Sequence, residues 1–372
     1  TVASDTRRGV QFEGGLYGGK SWRRGILGVD YRGDYRLNRR GNGGRSYNGS
    51  NHALSVDYQH QLSRRAMLFF RETAGTSNRA FGGFSAPAFS DTQNFGVPID
   101  EVFDTRVYFS QTSASYVYRQ SARATMVGTV DYFAIKRPDT RLTSAAGKRA
   151  LGAYQYQFSR RLTAGFVYQY FRFGYPRAYG QSDSHAVAGT LRRSFGARTD
   201  LTLSGGIVRT ESIGNQQVQL SPEIAAVIGR TTGIEAFHRV SYSPQMDVSF
   251  YRRQERGSFR ASLVSGVSPG NGIYLTSHRY AVSSGYSYTG IRRWSLGLNA
   301  GWSKMSSRAN RIGGLTNYRY GGGANYKLAD HWSLSTQVDQ RNFSAPGVRG
   351  RNGVMISFGV AVSPSRLPLS IW

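Results

Sequence analysis

The chain has 372 residues and a formal net charge of +27, with no cysteine, 46 glycines and 24 tyrosines. No apolar run reaches the ~18 residues that a transmembrane helix needs, which excludes a helical membrane span. The charge is almost all arginine and is spread along the whole chain, so nucleic acid, the usual partner of a strongly basic protein, is not expected.

Apolar and polar residues alternate from near the N-terminus to the C-terminus. In 27–37, for example, Leu27, Val29 and Tyr31 share one face, and Asp30 and Arg32 share the other. Such alternation indicates β-strands with one apolar side, and about 9–11 tilted residues of it cross a bilayer. It predicts 19 strands, at 10–20, 26–38, 52–62, 66–76, 104–119, 124–136, 149–159, 162–173, 185–195, 199–210, 219–229, 233–243, 246–254, 258–267, 279–289, 293–304, 316–328, 332–342 and 353–363.

Short basic turns recur at one end of these strands. Looser versions include 230–232, and the dibasic ones are Arg23-Arg24, Arg64-Arg65, Arg160-Arg161 and Arg292-Arg293. Transmembrane barrels have their short turns on the periplasmic side, where arginines attract anionic lipid headgroups. Any short turn needs polar residues, so a single pair carries little weight, whereas the recurrence favours a role for the set.

The other ends of the strands are joined by longer segments, of which 77–103 is the longest. Aromatic rings in an exposed loop need burial, so we expect this loop to fold into the lumen as a constriction or to cap its mouth. A contact surface for a partner and self-packing are the alternatives. The one tight turn at this end is predicted at 243–245, and the candidate cap residues are Phe81, Phe84, Phe89 and Phe95.

The number of predicted strands is odd, whereas single-chain bacterial barrels have an even number. The last strand runs toward the short-turn end, which predicts a periplasmic C-terminus, and strand 10–20 runs in the same direction. Continuity then requires another strand before residue 10. We therefore expect one barrel domain over 1–372 that lacks an N-terminal segment, with about 18–20 strands in all.

Charged residues occupy the polar side of many strands. They predict either a charged pore wall that selects solutes or cross-strand ion pairs that satisfy buried charge. Arginine exceeds carboxylate here, which predicts a mild preference for anions. The pore-lining candidates are Asp30, Arg32, Asp34, Arg36, Asp57, Arg71, Asp131, Arg192, Glu235, Arg239, Arg319, Asp339 and Arg341.

Sequence motifs for catalysis are weak. The six histidines show neither metal-ligand spacing nor a nucleophile–base motif. Gly14, Gly15, Gly18 and Gly19 lie within a strand pattern rather than in a phosphate-binding loop. We therefore expect no enzymatic activity, no metal and no cofactor. The lack of cysteine suits an oxidising compartment such as the periplasm.

The alternating strands, the short turns and the aromatic residues near strand ends resemble bacterial outer-membrane β-barrel proteins over essentially the whole chain. The terminal Trp372 and the segment Phe358-Gly359-Val360-Ala361-Val362 are similar to the signal that the barrel-assembly machinery reads. The resemblance implies an all-β, up-and-down transmembrane barrel in the outer membrane, in contact with its lipids and with the assembly machinery during biogenesis.

The leading prediction of function is a porin-like channel for passive passage of small hydrophilic solutes. One alternative is an export barrel for a large cargo such as a polysaccharide, working with periplasmic partners. Another is a structural or adhesive barrel with a blocked lumen, whose loops contact an extracellular protein. The sequence motifs do not identify a cargo.

Overall fold

The computed structural model describes residues 7–40, 47–78, 106–139, 142–176, 179–219, 221–268, 275–307, 314–329, 331–345 and 348–362. They form one short helix, α1 (Pro222–Ile228), and 17 strands. The strands are β1 (Arg7–Trp22), β2 (Gly25–Arg40), β3 (Tyr47–Gln61), β4 (Ala66–Asn78), β5 (Arg106–Arg119), β6 (Ala124–Lys136), β7 (Ala145–Ser159), β8 (Leu162–Gly174), β9 (Gly180–Phe195), β10 (Thr199–Gln219), β11 (Thr232–Gln254), β12 (Gly257–Ser268), β13 (Ser277–Tyr288), β14 (Trp294–Ser307), β15 (Leu315–Lys327), β16 (Trp332–Ala345) and β17 (Val348–Val362).

Each strand pairs antiparallel with its neighbours in sequence, from β1–β2 through to β16–β17. The sheet is therefore an up-and-down meander, which confirms the predicted fold class. Short turns join the strands at one end, and longer connections join them at the other. Both β1 and β17 run toward the short-turn end.

The two faces of the sheet show the reverse of the burial found in a water-soluble protein. On one face Val354, Ile356 and Phe358 are 61%, 61% and 82% exposed, whereas Asp34 and Asp131 on the other face are 3% and 5% exposed. Water would drive the apolar side chains inward, so the exposed apolar face fits contact with lipid. We call it the outer face, and the polar side the inner face.

Aromatic residues lie on the outer face near the strand ends, as the sequence predicted. Trp22, Trp294 and Trp332 flank short turns and remain about half exposed. Trp294 also packs against Tyr326 of the neighbouring strand, with ring centroids 4.9 Å apart. Rings at this position match the interfacial girdle of a membrane barrel, because the indole and phenol rings are amphipathic.

Serine side chains shape several short turns. The Ser63 Oγ accepts a hydrogen bond from the Ala66 amide at 3.0 Å, and the Ser121 Oγ accepts one from the Ala124 amide at the same distance. These bonds satisfy backbone donors that the ladder leaves free at the turn. The intervening positions face solvent, which is why arginine is tolerated there.

The predicted strand 219–229 is wrong. Strand β10 ends at Gln219, and 222–228 form α1, with Pro222 at the helix start, where proline is favoured. Gly229 ends the helix in the left-handed conformation with φ 68°, as glycine commonly does. No helix of the described residues is long and apolar enough to cross a membrane.

The predicted turn at 243–245 is also wrong, because these residues lie inside β11. Pro244 is opposite Ile207 of β10, and the ladder with β12 begins only at Met246. Proline has no N–H to donate, so it is tolerated where a strand lacks a partner on one side. Together the two errors add two strands to the prediction, so the direction of every later strand is still predicted correctly. The segment 230–232 lies at the long-loop end rather than the short-turn end.

Candidate functional site

The inner face carries the predicted wall residues. The β-ladder registers place all 13 on this side of the sheet. For Arg36 this position is defined by the backbone of β2 alone. Arg192, Glu235 and Arg239 are exposed. A role of these residues in passage stays a prediction.

On β2–β4 the inner charges pair with one another. The Arg32 guanidinium donates to Asp30 at 2.8 Å, and Arg71 donates to Asp57 across the β3–β4 ladder. Both side chains of the second pair are over 40% exposed. Exposed pairs of this kind contribute little to stability, so each of these two pairs is solvent-accessible and electrically neutral as a pair.

Asp131 and Arg149 form a largely buried ion pair. The Arg149 Nε donates to Asp131 Oδ2 at 2.6 Å, and the two side chains are 12% and 1% exposed respectively. Their strands, β6 and β7, place them directly opposite each other. Removing one partner from such a pair leaves an uncompensated charge, so the pair fixes the register here.

A third group of inner charges lies on β15 and β16. Arg319 lies 3.6 Å from Asp339, and the Gln337 amide donates to Asp339 at 2.5 Å. Arg341 donates to the Asn317 side chain at 2.9 Å. The sequence allowed two interpretations of the inner charges, a solute-selecting pore wall and ion pairing. Many of these charged residues form ion pairs with one another.

A half-open cavity of about 1070 Å³ lies against the inner face. It is lined by Arg71 of β4, Arg149 of β7, Asp247 of β11 and Ser283 of β13, so the sheet curls until distant strands share one space. Arg260 also lines the cavity, with its guanidinium 5.9 Å from the Tyr251 ring centroid. Apart from this ring, Arg260 has no polar or charged partner in the part of the chain that the structure describes.

One side of the lumen is apolar. Phe133, Phe171 and Phe173 are at most 3% exposed although they lie on the inner face, and Phe133 meets Phe173 edge-to-face at 6.0 Å. Tyr175 completes the cluster. Burial raises the pKa of the Tyr175 hydroxyl well above its ordinary value.

Gly147 makes room for this cluster. A Cβ at that position would lie 2.5 Å from the Phe133 ring, closer than any side chain tolerates. The ring therefore occupies the space above the glycine on the adjacent strand. A single glycine on β7 thus allows the aromatic packing on β6 and β8.

The sequence reasoning missed this apolar cluster and Arg149. The signal was present, because Phe133, Phe171 and Phe173 share the strand positions of polar inner residues such as Asp131. Arg149 likewise stands in phase with Gln155. The predicted girdle concerns tyrosine and tryptophan near the strand ends, whereas a lumen can also hold phenylalanine rings.

The remaining predicted sites are located as follows. Phe81, Phe84, Phe89 and Phe95 lie outside the described residues. No group of three or more His, Cys, Asp or Glu side chains in the described ranges could hold a metal ion. The basic-turn residues are all exposed, and they are Arg23, Arg24, Arg64, Arg65, Arg160, Arg161, Arg292 and Arg293.

No family model and no curated protein sequence matches the chain. Among solved structures it is similar to the copper transporter OprC, at 10% identity and a TM-score of 0.52, covering 97% of this chain and 66% of OprC. The ferric-catecholate import receptor Fiu from E. coli matches at 8% identity and a TM-score of 0.46, covering 92% of this chain and 64% of Fiu. The FrpB iron transporter from Neisseria meningitidis matches at 9% identity and a TM-score of 0.45, covering 92% and 60%.

The chain therefore spans between 60% and 66% of the lengths of these three proteins. The similarity to OprC concerns the fold. Together with the exposed apolar face, it shows that the chain has the fold of a bacterial outer-membrane β-barrel, as the sequence predicted.

The prediction of a passive porin-like channel is wrong. OprC, whose fold the chain shares, is a copper transporter rather than a passive porin, and the inner face has a buried aromatic side where a hydrophilic channel would have a solvated wall. The similarity to a copper transporter gives no support to the export and adhesion alternatives. Strand alternation distinguishes lipid from lumen, and it does not specify what the lumen binds.

Proposed function

We propose that this chain forms the barrel of an outer-membrane uptake receptor that binds an organic ligand or metal chelate in its lumen and admits it to the periplasm. The observation that supports this most is the cavity of about 1070 Å³ on the inner face. The cavity is lined by an arginine that lies over a tyrosine ring and by apolar side chains. Binding sites for small molecules commonly combine polar and apolar groups in this way. No catalytic step is part of this function.

The lining suggests the chemistry of the ligand. Leu151, Val167 and Phe171 form an apolar side, and Ser249 and Ser262 present hydroxyls. Ligand sites are commonly apolar with a few placed polar groups, in cavities of about 300–1,000 Å³. A drug-sized molecule with an apolar or aromatic body and anionic oxygen atoms fits this wall.

Arg260 is the residue we expect to recognise the anionic part. Arg71 and Arg149 already pair with carboxylates, whereas Arg260 has no carboxylate partner among the described residues. Its planar guanidinium can bind carboxylate or catecholate oxygens with two hydrogen bonds. A metal chelate with oxygen donors, such as the ferric catecholate in the name of Fiu, belongs to this class.

The test is equilibrium binding of a ferric tris-catecholate and of Cu²⁺ to the purified protein, followed by tryptophan fluorescence. Arg260→Ala should weaken binding of the chelate by about 10- to 150-fold, because one charge-assisted contact contributes ~1.5–3 kcal/mol. Arg252→Ala is the matched control, since Arg252 lies on the outer face of neighbouring β11. The proposal is contradicted if neither the ferric tris-catecholate nor Cu²⁺ binds saturably, or if the protein forms a permanently open channel in planar bilayers.

We also propose that further strands close the barrel. Strands β1 and β17 run in the same direction, so an antiparallel barrel needs an odd number of additional strands between them. Plugged outer-membrane transporters have about 22 strands, about five more than the 17 described here, and five is an odd number. Oxidation of a Leu16→Cys, Phe358→Cys variant should give no disulfide, whereas the registered pair Leu16 and Tyr31, changed to cysteine, should cross-link.

The short-turn end, with its eight predicted basic residues, is proposed to face the periplasm, as does the C-terminus. Short periplasmic turns and longer outer loops are the rule for such barrels. Cysteines placed at Arg64 and at Val227 of α1 distinguish the two ends. An impermeant maleimide should label the second and not the first in intact cells, and the opposite result would reverse the orientation.

A further inference from the structure

A second surface, independent of the lumen, lies on the outer face of β5–β8. A groove of about 490 Å³ opens there, where small residues from neighbouring strands meet. Gly128 is opposite Gly152, and Ala150 is opposite Val130. Larger side chains border it, namely Leu68, Tyr116 and Tyr168.

The two glycines leave real space at this surface. A Cβ added to Gly128 or to Gly152 would meet no heavy atom within 4 Å. The groove is therefore open toward the lipid rather than filled by neighbouring side chains. A channel of this kind on a lipid-facing surface has the shape and polarity to hold a hydrocarbon chain.

Two cations lie directly above the groove, on the side of the long loops. Lys148 is two residues from Ala150 on the same face of β7, and it is opposite Arg172 of β8. Like charges directly opposite each other destabilise a sheet, so this position favours an anion between them. Lys148 is exposed and has no hydrogen bond or ion pair in the part of the chain described.

The nearby carboxylates do not neutralise both cations. Asp183 lies 3.7 Å from Arg172, but it also accepts hydrogen bonds from Tyr170 at 2.7 Å and Gln181 at 2.9 Å.

Glu211, the next carboxylate on this face, is bound by Arg209 at 3.0 Å and by the His238 ring at 2.9 Å. Its charge is thus directed away from β7. Arg172 lies opposite Asp183 and also donates to the Gln181 side chain. Lys148, in contrast, has no carboxylate partner among the described residues, so the surface at Lys148 remains positive.

The level of these cations on the barrel matches a headgroup. Lys148 is the fourth residue from the long-loop end of β7 (Ala145–Ser159), and Arg172 is the third from the same end of β8 (Leu162–Gly174). The apolar band of such barrels is about 25 Å tall, which leaves both residues near its edge.

We infer that this surface binds one phosphorylated glycolipid of the outer leaflet, of the chemical class of lipid A. An acyl chain lies in the groove over Gly128, Ala150 and Gly152, and a phosphate lies between Lys148 and Arg172. Arginine and lysine both bind phosphate, arginine through two parallel hydrogen bonds. The site goes beyond the proposed uptake function and does not depend on it.

The test uses the full-length protein purified in a mild detergent, with native mass spectrometry of bound lipid after exposure to lipid A or to phosphatidylglycerol. The Lys148→Gln, Arg172→Gln double variant should retain lipid A about 10- to 30-fold more weakly, given the attraction of each basic residue for an anionic surface. Lys304→Gln is its control, since Lys304 is exposed on the outer face of β14 near the same end.

A second pair of variants tests the groove itself. Gly152→Leu fills it without a clash with protein atoms and should also reduce bound lipid A, whereas Gly205→Leu, on the outer face of β10, should not. Equal retention in all variants, or equal binding of phosphatidylglycerol, overturns the proposal. So does a protein dimer that Gly152→Leu dissociates, because the groove would then be a contact between two copies of the chain.

Discussion

The inner faces of β2–β4 and β6–β8 follow the same alternation, yet their chemistry is opposite. On β2–β4 the inner positions hold exposed ion pairs such as Asp57–Arg71. At the long-loop end of β6–β8 they hold the buried rings of Phe133 and Phe173. The lipid outside favours apolar residues at the outer positions of the strands, whereas the inside can be wet or dry. The asymmetry of the lumen is therefore the part of this barrel that is specific to the chain.

Truncation of a buried ring should give the largest effect. Phe133→Ala removes a fully buried side chain and leaves a cavity beside Phe173, which we expect to cost about 3–5 kcal/mol. The measurement is the urea midpoint of unfolding in lipid vesicles, followed by tryptophan fluorescence. Phe69→Ala is the matched control, because Phe69 is on the inner face of β4 but is 37% exposed. Equal losses in both variants would erase the distinction between the two walls.

The ion pairs should show the same contrast on a smaller scale. Asp131→Asn leaves Arg149 buried without its counter-charge and should cost about 3 kcal/mol. Asp57→Asn, in the exposed pair with Arg71, should cost about 0–1 kcal/mol. The same unfolding assay applies, and a double-mutant cycle with Arg149→Met and Arg71→Met isolates each pair. A coupling energy for Asp57–Arg71 as large as that for Asp131–Arg149 would contradict the comparison.

Most of the fold follows from the sequence because a single physical condition, lipid outside, imposes period-two alternation. The strands it predicted are confirmed outside the segment 219–245. There the apolar residues of 219–229 fit a strand and a helix equally well, since a short apolar run has no distinguishing period. The sequence predicted a turn at Pro244, because it does not reveal that this part of β11 has no partner on the β12 side.

The candidate site was harder to predict, since inner positions obey no single rule. Their parity located the wall charges, but pairing depends on side-chain length and on what lies across the ladder. On the outer face, Glu72 is a residue that the alternation of apolar and polar positions does not predict. It occupies an outer position opposite Thr112 of β5, where it accepts that hydroxyl's hydrogen bond, and alternation alone predicts an apolar residue there.

The smallest expected effect concerns the hydroxyl that closes the dry wall. Tyr175 and Thr276 share a hydrogen bond of 3.0 Å in a buried setting. Tyr175→Phe leaves the Thr276 hydroxyl, which is 2% exposed, without this partner, so it should cost about 1 kcal/mol at neutral pH.

The pH dependence gives the sharper test. Because burial raises the pKa of Tyr175 above its ordinary value of 10.0, the unfolded chain loses this proton first as the pH rises. The stabilisation by neutral Tyr175 is complete below pH 10 and declines above it, by about 1.4 kcal/mol for each pH unit. Unfolding midpoints between pH 8 and 11 should thus converge for the natural protein and Tyr175→Phe. Parallel curves for Tyr175→Phe would mean that water reaches this hydroxyl and that the wall is not dry.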